Sequence, residues 1–204
     1  MKTQATSKQV NELVRDRVQR SIEVKQALLS DATFDEMVAQ AALQIVKALR
    51  SGGKVIFCGN GGSAADAQHL AAEFTGRYLK ERSALPALAL HANTSALTAI
   101  GNDYGFDRVF SRQMEALGKE GDVAVCISTS GNSPNVLRAL EVAKSKSIYT
   151  VALTGASGGK MKQLADCTIC IPSDETPRIQ ECHILTGHII CEIAEEMLFG
   201  SLQE

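Results

Sequence analysis

Residues 54–78, KVIFCGNGGSAADAQHLAAEFTGRY, constrain the fold more than any other stretch of the chain. Lys54 to Cys58 is a short apolar run that stops at Gly59, and AADAQHLAAEF is rich in helix formers with apolar residues at helical spacing. The pattern predicts a buried strand, a tight turn and a helix. Gly59, Gly61 and Gly62 open backbone angles closed to other residues and keep side chains away from a ligand. Asn60 adds a carboxamide, and Ser63 stands where an N-cap is expected. Unpaired N–H groups and the positive end of the helix dipole would favour an anion here, phosphate above all. Farther along the helix, His69 and Glu73 are four residues apart and so share a face. An imidazole beside a carboxylate can hold a metal ion or move a proton.

Of two better-known phosphate loops, the dinucleotide fingerprint is disfavoured and the Walker loop is absent. GNGGSA ends in alanine where a dinucleotide fingerprint has its third glycine, and the next strand, PALALH, ends in His91 without an acidic residue. A Walker loop would need Gly-Lys-Ser/Thr, which does not follow.

Further strands are expected at Pro86–His91, Asp122–Ser128, Tyr149–Thr154 and Cys167–Pro172, alternating with helical stretches such as Asn135–Lys146. Such alternation implies a parallel α/β sheet with helices on both faces and ligands at the carboxyl ends of the strands. Ahead of it, Val10, Leu13, Val14, Val18 and Ile22 mark one amphipathic helix. A second helix is expected to start at a Thr33/Glu36 capping box and stop at Gly52 and Gly53. Residues 1–53 thus read as a helical hairpin whose apolar stripe faces the sheet or another subunit, the latter preferred, and residues 54–204 as the α/β domain.

Two loops carry the remaining chemistry. Ser128, Thr129, Ser130 and Ser133 bring four hydroxyls to a helix start at Pro134, and with Gly131 they make a phosphate cradle without cationic side chains. Asn102 and Asp103, within GNDYG, read locally as a turn that offers an amide and a carboxylate. The last helix, Pro177–Phe199, contains Gln180, His183 and His188, and either histidine alone could be an ordinary core residue. Gln180 and His188 would lie roughly 12 Å apart on a continuous helix, so one metal could take both only if the helix starts later or a second subunit contributes.

A net charge of −2 offers no field for nucleic acid or anionic lipid, so anions must be bound locally. The six cysteines sit mainly in apolar patterns, which points to reduced thiols and the cytoplasm. Cys167 and Cys170 form a C-x-x-C, but the strand period sends them to opposite faces. Neither a signal core nor a membrane-spanning run is evident.

Taken together and in order, GNGGSAADAQHLAAEFTGR, GNDYGFDRVFSRQ, STSGNS and RIQECHILTGH resemble the sugar isomerase (SIS) domain family, in particular its phosphoheptose isomerase branch. The resemblance spans nearly the whole chain. It implies a flavodoxin-like five-stranded parallel sheet and a cytoplasmic homotetramer with active sites at subunit interfaces. The implied reaction converts sedoheptulose 7-phosphate to D-glycero-D-manno-heptose 7-phosphate, for heptose in bacterial surface polysaccharides such as lipopolysaccharide. Substrate contacts carry over to Asn60, Gly61, Gly62, Ser63, Glu73, Asn102, Asp103, Ser128, Thr129, Ser130, Ser133 and Gln180. One zinc ion per subunit is implied on His69, Glu73, Gln180 and His188, with Glu73 and His188 also the acid/base pair. Some members have an acidic residue three places before the glutamine, where this chain has Pro177; Asp174 and Glu175 lie nearby but out of register. The alternative is a non-catalytic relative that binds the bacterial replication initiator, which lacks the counterparts of Glu73 and His188.

Overall fold

The computed structural model describes residues 6–202; the first five residues of the hairpin segment and the last two of the chain lie outside the described residues. Five parallel strands form one sheet: β1 (Val55–Gly59), β2 (Ala87–Ala89), β3 (Val123–Ile127), β4 (Tyr149–Thr154) and β5 (Cys167–Cys170). Their order across the sheet is β2-β1-β3-β4-β5. β1 and β3 are neighbours, with Val55 opposite Val123 and Gly59 opposite Ile127, so their carboxyl ends open side by side.

The two-residue period of the strands builds two cores. Val55, Phe57, Val123, Val125, Ile127, Val151 and Leu153 face one way and pack on three helices: α2 (Ala32–Arg50), α3 (Gly62–Thr75) and α8 (Thr176–Phe199). Ile56, Cys58, Ala124, Cys126 and Ala152 face the other way, against α5 (Ser111–Leu117), α6 (Pro134–Ser145) and α7 (Met161–Leu164). α4 (Thr94–Tyr104) adds Leu97 and Ile100 at the rim of that second core. A strand buried on both faces needs a continuous apolar run, and VIFC and VAVCI supply it.

The hairpin divides its work. α2 buries Val38, Ala41, Ala42, Ile45 and Val46 and belongs to the core. α1 (Ser7–Leu29) leaves Val10, Leu13, Val14, Val18 and Ile22 about half exposed, keeping an apolar stripe in solvent. Three local expectations are corrected. Asp31 rather than Thr33 caps α2, because the Asp31 carboxylate accepts from the Thr33 N–H at 3.0 Å. Asn102 and Asp103 lie in the last turn of α4 rather than in a turn; Gly105, at φ 86°, ends the helix. Ser63 lies inside the first turn of α3 and caps nothing; Gly61 is the N-cap.

Candidate active site

Gly61 takes φ 57° and ψ −119°, a conformation open essentially to glycine alone, and this turns β1 sharply into α3. No side chain caps the start of α3, so its first N–H groups are not taken up by a cap. Gly62 leaves room for a neighbour: a Cβ there would meet the carboxamide of Gln180, so that side chain of α8 packs close to this end of α3. Farther along, a Cβ on Gly187 would meet the Leu70 side chain. The two helices therefore stay close over several turns, which brings His188 of α8 to His69 and Glu73 of α3.

His69 Nε2 lies 3.0 Å from His188 Nε2 and 3.1 Å from Glu73 Oε1. Among the described residues these three form the one group of His, Cys, Asp and Glu side chains close enough to share a metal ion, their ligand atoms all within 4.8 Å of one another. Two imidazole nitrogens and a carboxylate oxygen make a donor set known from catalytic zinc sites, which keep a further position open. Bonds of 2.0–2.1 Å in tetrahedral geometry place two nitrogen ligands about 3.3 Å apart, close to the observed spacing. The residues present fit a zinc ion.

Gln180 does not join them within one chain. α8 begins at Thr176 and runs unbroken, so eight residues, roughly 12 Å of axis, separate Gln180 from His188. Its carboxamide sits beside Gly62 instead. His183 is the core histidine of the pair: it is fully buried, with Nε2 3.1 Å from the Thr154 carbonyl oxygen, and burial lowers its pKa to about 4.

At the end of β3, Ser128 is buried while Ser130 faces solvent. Ser133 occupies the N-cap of α6, yet its hydroxyl does not cap the helix; it lies 2.9 Å from Ser128 Oγ, with Ser130 Oγ 3.4 Å from the same atom. The hydroxyls thus converge on one another as well as on the helix start. A cavity of about 260 Å³ is lined by Thr129 and Ser130 together with Asp174 and Thr176. Glu175 is engaged elsewhere, 2.9 Å from Arg20. Asn102 and Asp103 are exposed, their side chains joined at 2.9 Å.

Four features escape a reading of the sequence. Asp66, between Gly62 and His69 on the same side of α3, has Oδ2 buried without a hydrogen-bond partner; burial pushes its carboxyl up to about 6 against the pull of His69. Tyr78 places its ring 5.7 Å from that of His188. The loop carrying Tyr78 is held by a buried ion pair, Arg82 to Glu195 at 2.9 Å, with Glu195 also accepting from the N–H groups of Tyr78, Leu79 and Lys80. Arg82 in turn donates to the carbonyl of Glu73 at 2.8 Å. Finally, Asn135 pairs with Asn60.

Residues 22–155 match the model of the SIS domain. A phosphoheptose isomerase of Aneurinibacillus thermoaerophilus is 52% identical over 93% of this chain and 96% of its own length. One from Rhodospirillum rubrum is 60% identical over 79% of this chain and 86% of its own. Among solved structures, a phosphoheptose isomerase from Neisseria gonorrhoeae superposes with a TM-score of 0.87 at 46% identity, covering 92% of this chain and all of that one, 100%. Fold, site and likeness agree: the chain belongs to the SIS domain family, within its phosphoheptose isomerase branch.

Proposed function

We propose that this protein is the aldose-ketose isomerase that converts sedoheptulose 7-phosphate to D-glycero-D-manno-heptose 7-phosphate. The observation that carries the reading is the meeting of Glu73, His69 and His188 where α8 packs on α3, in a chain whose serine loop lies at the end of β3, beside the end of β1 from which α3 starts. The reaction moves a proton between two adjacent carbons through an enediol, so it needs a base at carbon and an acid at the oxygens. Glu73 Oε1 faces His69, which leaves the second carboxylate oxygen to take the proton from carbon. His188 serves the oxygens, a role its Nε2 can play only while that nitrogen is not a metal ligand. The hydroxyls of Ser128, Thr129, Ser130 and Ser133 fix the phosphate, so that the reactive end returns to the same place at each turnover.

His69, Glu73 and His188 would hold the zinc ion, which when bound would polarise the substrate's carbonyl and hydroxyl oxygens. A Gln180 ligand would have to come from a second subunit. That requirement and the exposed apolar stripe of α1 support a homotetramer with active sites at its interfaces. Asn60, Gly61, Gly62, Ser63, Asn102 and Asp103 complete the substrate contacts. A pure adaptor has no use for a carboxylate aimed at two imidazoles, so the enzyme reading is preferred to replication-initiator binding. Six free cysteines support a cytoplasmic setting, with the product serving bacterial heptose and lipopolysaccharide synthesis. Incubating the purified chain with sedoheptulose 7-phosphate tests the reading.

A further inference from the structure

Asn60 follows β1 directly and opens the glycine turn, and Asn135 is the second residue of α6, after β3. Their carboxamides meet edge to edge. Asn60 Nδ2 donates to Asn135 Oδ1 at 2.9 Å, and Asn135 Nδ2 donates back to Asn60 Oδ1 at 2.9 Å. Asn135 is 3% exposed, so the pair is shielded from competing water on that side. Two planar amides joined by a pair of hydrogen bonds fix both distance and orientation, as one bond would not. The parts so joined are the turn that opens α3, with His69 and Glu73 farther along it, and the loop that holds the four hydroxyls.

We infer that Asn135 is a positioning residue for the isomerisation: through the Asn60 carboxamide it sets the separation between the phosphate cradle and the glycine turn that opens α3. The inference rests on the isomerase reading above and deepens it. Its corollary is that this edge of the Asn60 side chain is engaged by the protein, so the turn meets substrate mainly through its backbone. A sugar phosphate held in the cradle would also meet the turn, whereas inorganic phosphate needs only the cradle. A displacement of about 1 Å in such a site costs on the order of a hundredfold in rate.

The test uses the full chain, with steady-state kinetics on sedoheptulose 7-phosphate and competitive inhibition by inorganic phosphate. For Asn135→Ala the expected result is a fall in kcat/KM of roughly ten- to a hundredfold, with the phosphate inhibition constant unchanged. Asn135→Asp, nearly isosteric, keeps the test open if the alanine variant fails to fold. As a carboxylate it turns an oxygen towards Asn60 Oδ1 and breaks the pair; as a neutral acid it restores both bonds. Its deficit relative to wild type should therefore shrink as pH falls from 8 towards 5, about the range open to a buried carboxyl of raised pKa. Unchanged kcat/KM in both variants would overturn the inference, as would parallel loss of phosphate inhibition, which would mean collapse of the cradle. Wild type without isomerase activity would overturn the functional reading and this inference together; active wild type with indifferent Asn135 variants would overturn the inference alone.

Discussion

His69 Nε2 and His188 Nε2 face each other at 3.0 Å across the contact between α3 and α8. Two lone pairs at that distance repel unless a proton or a metal ion lies between them, and Glu73 supplies the carboxylate that a cation would also want. Metal-free protein should therefore bind one zinc ion per subunit in calorimetry. His69→Ala should lose more than the roughly 10- to 100-fold that loss of an outer contact costs. Equal affinity in wild type and variant would remove these residues from the metal site.

The hydroxyl of Ser133 turns to Ser128 and not to the backbone of α6. Ser133→Ala should raise KM several-fold and weaken inhibition by inorganic phosphate. Its melting temperature should barely move, because no cap worth about 1 kcal/mol is lost. A large loss of stability with unchanged KM would make Ser133 a structural residue.

The side chains of Arg82 and Glu195 are each 2% exposed. Burial works against the Glu195 charge, but the N–H groups of Leu79, Lys80 and Tyr78 and the Arg82 guanidinium outweigh it and hold the carboxyl below the usual range. Arg82→Met would strand that carboxylate, and urea unfolding should show a loss of about 3–5 kcal/mol. Since Arg82 also holds the Glu73 carbonyl, activity should fall with it. A variant as stable as wild type would contradict this account of the loop.

His183 titrates at about 4 when folded, against an ordinary value near 6.5. The unfolded chain thus binds the proton first, so the contribution of this residue is fully present above pH about 6.5 and lost as pH falls towards 4. A difference of that size is worth about 3 kcal/mol. Thermal melts of wild type and His183→Gln across this range should converge at the acid end, where the variant has no ring to charge. Parallel curves would show that His183 does not govern acid stability.

The sheet was legible because a strand buried on both faces leaves an unbroken apolar run; four of the five strands lie within the predicted segments, Tyr149–Thr154 matches to the residue, and β1 runs one residue past its predicted run, into Gly59. The glycine turn and the serine loop were legible because their chemistry is concentrated in consecutive residues. Pairings across the fold were not. Asn60 and Asn135 are 75 positions apart, and nothing local to either reports the other. Arg82 and Glu195 sit among other charges that are exposed, so burial alone distinguishes them. The errors at Ser63, Thr33 and Asn102 share one cause: several polar residues near a helix end could serve as cap or turn, and backbone geometry selects among them.

The most direct test of the central claim is to follow sedoheptulose 7-phosphate by NMR with wild type, Glu73→Gln and His188→Ala in parallel. The account predicts the aldose phosphate from wild type and turnover lower by orders of magnitude in both variants, each still folded. No product from wild type with zinc supplied, or full activity in Glu73→Gln, would contradict it.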